Sequence, residues 1–254
     1  MNFEEKYASN SEEKILIRKI DDLIKRSEKN YTALYSHFLT PAEQTLLTRI
    51  EEFYGQISFD GGYDEAERRI CRVCAQDYAE DPGLPVELFQ IKATSASAEI
   101  SHRDVLGALM GSGIKREMIG DILTDNNNAW FFCHRIASDY IEINLTSVGK
   151  YRIEINRSEL YEIPESKMEH ISINVSSMRL DSICSECFGL SRTKAAEIIR
   201  KGMVSLNWLV CDNVSKEIVE GDKISMRGKG KVRIGPIKGM SKKGRLFVEA
   251  DKYI

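Results

Sequence analysis

Between Met178 and Gly230 the spacing of apolar residues, caps and glycines admits few folds. Ile183, Cys184 and Cys187 recur at helical intervals and mark the inner face of one short helix. Ser191 is a capping residue for a second helix, whose inner face is Ala195, Ile198 and Ile199. Gly202 supplies the residue that tolerates a left-handed helix stop. Val204 and Leu206 then alternate as a strand does, and Glu220-Gly221-Asp222 turns the chain back. The expected unit is two short helices feeding a small sheet.

With the core positions set aside, cations remain. Arg192, Lys194, Arg200 and Lys201 face outward on one helix, whose N-terminus is itself favourable to anions. From Arg227 to Arg245 there are eight Lys or Arg and no acid, including Arg227, Lys229, Lys231 and Arg233. Glycines at 228, 230, 235, 239 and 244 allow close backbone approach. Over residues 178–254 there are 16 bases against 9 acids, whereas the rest of the chain holds 20 bases and 30 acids. A net charge of −3 therefore conceals a basic end and an acidic remainder, the pattern of a localised polyanion site.

The preceding sequence divides at Pro82, Gly83 and Pro85. Residues 1–82 read as a helical N-terminal domain. Ser11 is the expected cap of a first helix with Leu16, Ile20, Leu23 and Ile24 on its inner face. Thr40-Pro41-Ala42-Glu43 is a capping box. Leu46, Leu47, Ile50, Phe53 and Tyr54 form the buried face of the helix it opens. After the turn at Asp60-Gly61-Gly62, a further helix is expected through Tyr63, Ala66, Ile70, Cys71 and Cys74. Residues 83–168 change period. A strand at Val86–Ala93, a helix opened by Ser101 and Asp104, an apolar stretch at Ile122-Leu123, a strand at Trp130–Cys133, a helix with Ile136, Tyr140, Ile141 and Ile143, and a strand at Tyr151–Ile155 spell βαββαβ, the ferredoxin-like plait. Acids outnumber bases in this segment. His170–Ser177 reads as a strand or ordered linker. The overall class is α+β.

The C-x-x-C pairs Cys71/Cys74 and Cys184/Cys187 are too far apart for an ordinary zinc ribbon, and both read as helical core positions. No metal or cofactor is expected. The start of the chain lacks an apolar signal core, and no run of about 18 uncharged apolar residues occurs, so a cytoplasmic location without a membrane partner is expected.

The pattern Arg179-Leu180-Asp181, Ser191-Arg192, Gly202, Val204, Asn207, Gly221-Asp222, Ile224 and Arg227-Gly228-x-Gly230 resembles the S4 (αL-type) RNA-binding domain, at residues 176–245. That resemblance implies an RNA-facing surface containing Arg179, Ser191, Arg192, Lys194, Lys201 and Asn207. The usual Asn-Gly turn is Asn207-Trp208 here. Trp208 either stacks on a base or folds back into the core. Phe59-Asp60-Gly61-Gly62-Tyr63, Ala66-Glu67-Arg68-Arg69 and Gly113-Ile114-Lys115-Arg116 resemble motifs of the YlmH family. The family implies association with the large ribosomal subunit, its ribosomal RNA and tRNA, and quality control of stalled translation. Arg68, Arg69, Lys115 and Arg116 are secondary phosphate-contact candidates on that resemblance.

An RNA-modifying enzyme, of pseudouridine synthase or methyltransferase type, is the first alternative. Arg179-Leu180-Asp181 has the letters of a pseudouridine synthase motif but begins the S4-like unit, where Asp181 reads as a capping residue. Gly111-Ser112-Gly113 follows a helix, not the strand that a nucleotide-cofactor loop requires. His102-Arg103-Asp104 lacks the companion motifs of a kinase. The second alternative is a cell-division accessory scaffold with protein partners. The expectation is a non-catalytic protein that docks on structured RNA.

Overall fold

A computed structural model describes residues 3–74, 80–159 and 168–253. The end of the expected middle domain, at 160–167, lies outside them. The chain forms two compact units, Met1–Pro164 and Glu165–Ile254.

The first unit opens with α1 (Phe3–Tyr7), α2 (Ser11–Asn30), β1 (Leu34–Leu39), α3 (Pro41–Thr48), β2 (Ile57–Asp60) and β3 (Arg69–Val73). The cap of α2 is Asn10, whose side chain accepts from the Glu13 N–H, one residue before the expected Ser11. The capping box of α3 is present in both directions, Thr40 to Glu43 and back. Tyr54, expected inside, is exposed.

The expected helix through Tyr63–Cys74 is not formed, so the first 82 residues are not wholly helical. Arg69–Val73 is instead the central strand of a sheet ordered β1-β3-β2. Ile70, Cys71 and Val73 are all fully buried because this strand is covered on both sides. Cys71 and Val73 join the core with α2 and α3, while Ile70 joins a different cluster. Burial on both faces removes the alternation that identifies a half-exposed strand, and the remaining spacing imitates a helix.

The plait expected next is present: β4 (Val86–Ala93), α4 (His102–Gly111), β5 (Ile119–Asp125), β6 (Asn128–His134), α5 (Arg135–Asn144), a short β7 (Ser147–Val148) and β8 (Tyr151–Arg157). The sheet order is β5-β6-β4-β8-β7, antiparallel throughout. Phe89, Ile91, Phe131 and Cys133 point to one face and pack under Val105, Leu109 and Ile141 of the helices. Of the four apolar residues that marked α5 in the sequence, Ile141 is buried and Ile136, Tyr140 and Ile143 are exposed.

The opposite face of the plait is covered as well. Leu88, Trp130 and Phe132 pack against Phe38 and Ile70 of the first sheet. Gly61, Gly62 and Gly120 permit the approach. A Cβ on Gly120 would stand 2.7 Å from Phe38 Cε1 and 2.9 Å from Phe132 Cβ, and one on Gly61 would stand 2.6 Å from the Arg68 carbonyl oxygen.

The second unit contains β9 (Met168–Val175), α6 (Leu180–Cys187), α7 (Arg192–Arg200), β10 (Val204–Leu206), β11 (Leu209–Val210), β12 (Lys223–Met226), β13 (Gly230–Met240) and β14 (Leu246–Tyr253). One antiparallel sheet, ordered β11-β10-β12-β13-β14-β9, carries all six strands. The basic stretch after Arg227 is thus a long hairpin, and β9 closes the sheet beyond it. Ile224, Val232, Val248 and Ile173 face α6 and α7, meeting Ile183, Cys184 and Ile199 there.

Gly120→Ala is expected to lower stability by about 1–3 kcal/mol through overpacking. Gly107→Ala, at an exposed helix-interior position with nothing within 4 Å of the added Cβ, is expected to raise it by about 0.5–1 kcal/mol. Thermal denaturation of both variants checks the contrast.

Candidate nucleic-acid interface

The helix that carries most of the cations begins at Ser191, whose hydroxyl accepts from the Lys194 N–H at 3.2 Å. Ala195 and Ile199 are buried, which leaves Arg192, Lys194 and Arg200 exposed. Lys201 is the C-terminal cap, and Gly202 at φ +67° ends the helix.

Arg179 and Arg192 converge on one buried carboxylate. Arg192 Nε donates to Asp181 Oδ2 at 2.8 Å and Arg179 Nε donates to Asp181 Oδ1 at 3.1 Å. Asp181 also accepts from the Ser182 N–H. It stands inside the first turn of α6, after the cap position held by Arg179, so the capping reading is corrected: Asp181 is a clamp between two helices. Burial alone would raise its pKa, but the guanidiniums of Arg192 and Arg179 outweigh that and hold it below the ordinary carboxylate value. Both arginines keep about half their side-chain surface, at 42% and 50%, so the clamp fixes their orientation without hiding them.

At the other end of α7, strand register assembles a second group. Val204 pairs with Met226, and the Arg227 N–H donates to the Met203 carbonyl at 3.0 Å. The β12–β13 turn, with Arg227 and Lys229, therefore lies beside Lys201-Gly202-Met203. Among the described residues, Arg200, Lys201, Arg227 and Lys229 have neither a hydrogen bond to an acid nor an ion pair through their side chains. Lys194 is paired with Glu197 at 3.0 Å. A band of cations runs from Arg192 along about 13 Å of helix to this turn.

The polar face of the sheet holds a third group. Asn207 and Trp208 both have positive φ, 47° and 66°, so the tight hairpin forms without its usual glycine. Asn207 makes this tolerable. Its amide donates to Asp222 at 2.8 Å, and its carbonyl accepts from the Lys223 N–H at 2.9 Å. Trp208 is half-buried, and the Lys223 ammonium lies 5.1 Å from its ring centre. Register places Lys223 beside Arg233 and Arg233 beside Asp251, which it pairs with at 2.9 Å. Lys231 lies 5.0 Å over the Tyr253 ring. Lys223 and Tyr253 were not anticipated; the β-period of residues 223–226 and 246–253 is the signal that places them here.

The remaining candidates lie in the first unit. Arg68, Arg69 and Arg116 are half-buried and donate to main-chain carbonyls, while Lys115 is exposed. The turn around them is organised by Asp121, which accepts from Tyr63 Oη and from the N–H groups of Glu67 and Arg68 at 2.6–3.0 Å. Tyr63 lies flat on Phe132, with ring centres 4.8 Å apart. Plait domains that bind single-stranded RNA stack bases on exposed sheet aromatics. Here Trp130 and Phe132 are buried by the chain's own residues, so that mode is closed at these two positions.

Burial pushes the Cys184 and Cys187 thiols up to about 12, which keeps them as protonated packing groups.

Two family models match the chain: one described as "Putative RNA-binding domain in YlmH" over residues 80–162, and the S4 domain over residues 178–224. A Bacillus subtilis protein, ribosome-associated protein quality control protein P2, is 31% identical over 233 residues, covering 89% of each chain. The chain belongs to the YlmH family. A solved structure of the cell division protein ylmH from Streptococcus pneumoniae is similar at a TM-score of 0.52 and 21% identity, covering 62% of this chain and 99% of that one. At that identity it speaks for the fold alone. This YlmH-family chain thus carries two RNA-binding domains, and its S4 domain is the unit that gathers the cations.

The Asp181 clamp has a pH signature. A carboxyl whose pKa is depressed by folding stabilises the fold above its ordinary value and loses that contribution as pH falls through the folded value. Acid unfolding of the wild type is expected to steepen below about pH 4. Asp181→Asn should lose roughly 1–2 kcal/mol at neutral pH, at the low end for charged hydrogen bonds because both arginines are half solvated. It should also flatten the acid limb. Denaturant titrations at pH 7 and pH 3 measure both effects.

Proposed function

We propose that this protein docks without catalysis on structured ribosomal RNA of the large subunit, next to tRNA, during quality control of stalled translation. The observation that carries the proposal is the group Arg200, Lys201, Arg227 and Lys229. These four cations sit at one junction of helix and sheet with no side-chain hydrogen bond or ion pair to an acid among the described residues, Glu197 acting on Arg200 and Lys201 only at a distance. Cations held close together without an acid in contact on a folded surface suit a polyanion, whose condensed counterions they release on binding. Arg179 and Arg192 extend the surface with guanidiniums already oriented by Asp181, so less side-chain freedom is lost when a phosphate is engaged. The clamp shares each arginine with an acid but leaves further N–H donors on each guanidinium.

The name of the Bacillus subtilis relative supports the ribosomal setting. The proposal of no catalysis is supported by both matched family models being RNA-binding domains. Folded RNA, rather than an unpaired strand, is the proposed target because the band is cationic and nearly free of aromatic groups.

Lys201→Ala combined with Arg227→Ala tests the reading. Both side chains are exposed and outside the core, so the fold should be retained. In a salt series of binding to purified large ribosomal subunits, the slope of log K against log salt is expected to become shallower by about 2. A slope equal to that of the wild type would reject the band as the docking surface.

A further inference from the structure

In the first unit two guanidiniums meet on a single acceptor. The Ile119 carbonyl oxygen accepts from Arg68 Nε at 2.9 Å and from Arg116 Nη1 at 2.6 Å. Arg68 Nη2 also donates to the carbonyls of Phe38 at 3.3 Å and Arg116 at 3.4 Å. All the hydrogen bonds made by these two guanidiniums among the described residues go to neutral main-chain oxygens. Neither arginine has an ion pair with a carboxylate among the described residues.

The acids nearby are committed elsewhere. Asp121 is saturated by Tyr63, Glu67 and Arg68 main-chain and hydroxyl donors. Glu43 closes the capping box of α3 through the Thr40 N–H and hydroxyl. They ease the charge of the pair at a distance without touching either guanidinium. Burial and then the neighbouring Arg68 together bring the Arg116 pKa down to about 10, with Asp121 acting in the opposite direction. Two like charges in a half-buried place are costly unless an anion joins them.

Donors remain for such an anion. Arg68 Nη1 and Arg116 Nε and Nη2 have no partner among the described residues, and none of them belongs to the buried polar atoms. They are not fully buried, and the bonds on the other side of each guanidinium fix its orientation. Guanidinium N–H groups are suited by chemistry to the non-bridging oxygens of a phosphodiester, and here two guanidiniums are gathered on one carbonyl. His102, the first residue of α4, stands within electrostatic reach of Arg116: partial desolvation and then that guanidinium lower its pKa, with Asp121 acting the other way.

We propose that Arg68 and Arg116 form a second RNA contact, a seat for one backbone phosphate, with His102 at its rim. This deepens the RNA reading above and rests on it. The first unit, acidic in sequence, would then touch RNA at a point contact and not over a broad basic face.

The test uses the full chain and purified large ribosomal subunits. Arg116→Gln removes the charge but also a structural bond, so His102→Glu is the decisive variant. It sets a carboxylate beside the pair at an exposed first-turn position where an acid favours the helix. The expected result is an unchanged melting temperature and a salt slope shallower by about 1. A His102→Glu protein with the wild-type slope overturns this inference, and if the Lys201/Arg227 variant still loses binding, the docking reading survives it. A wild type that does not bind the subunits at low salt overturns both. Arg116→Gln, if folded, should match His102→Glu in slope; an unaltered slope there also counts against the seat.

Discussion

The first unit depends on the sealing of one face of its plait. Leu88, Trp130 and Phe132 would be an exposed apolar strip on an isolated five-stranded sheet. They are buried by Phe38 and Ile70, and Tyr63 lies flat on Phe132. A residue of each element supplies the fit: Gly120 gives room for the Phe38 ring, and Gly61 and Gly62 let the turn lie against its neighbours. Asp121 then fastens the turn with three hydrogen bonds from β5. Burial of five large side chains is worth several kcal/mol in area removed from water. That is why the N-terminal sheet and the plait make one compact unit.

The same contact decides where RNA can go. A plait whose central aromatics are spent on internal packing has given up base stacking at those positions. What it retains is polar contact from turns and helix starts, where Arg68, Arg116 and His102 stand. The S4 unit makes the complementary choice. Its core lies on the helix side of the sheet, and the cations stand on the helix and on turns outside that core. In the docking proposed above, affinity is electrostatic in origin and selectivity comes from the fixed separation of the cations on a rigid frame.

Much of this was legible in the sequence, for identifiable reasons. Ser191, Gly202 and the alternation at Val204 and Leu206 declare the S4 core because caps and periods act locally. The capping boxes at Thr40 and Ser101 were equally plain, being four-residue patterns. The strand at Arg69–Val73 was not legible, since Ile70 and Cys71 are buried on opposite sides by elements distant in sequence. Ile136 and Ile143, exposed on α5, show the converse. Helical spacing shows which residues share a face but not whether that face is covered. The Asp181 clamp was also hidden, because its meaning depends on Arg192 arriving from the next helix at 2.8 Å.

Site residues identified from charge and from family resemblance separate into three physical classes once placed. Arg200, Lys201, Arg227 and Lys229 are exposed cations held near one another by Val204–Met226 register. Arg179 and Arg192 are exposed but steered by a buried acid. Arg68 and Arg116 are tied to carbonyls and present only part of each guanidinium. Asn207 belongs to none of these: its amide closes the hairpin, so replacing it would disturb the Trp208 turn before any contact with a ligand. A like-charge pair held on a neutral oxygen is the arrangement least explained by folding alone. Guanidiniums that serve only structure are ordinarily matched by a carboxylate, because desolvating a cation without one is unfavourable. In the seat proposed above, an external anion completes a pair that Asp121 and Glu43 ease only at a distance.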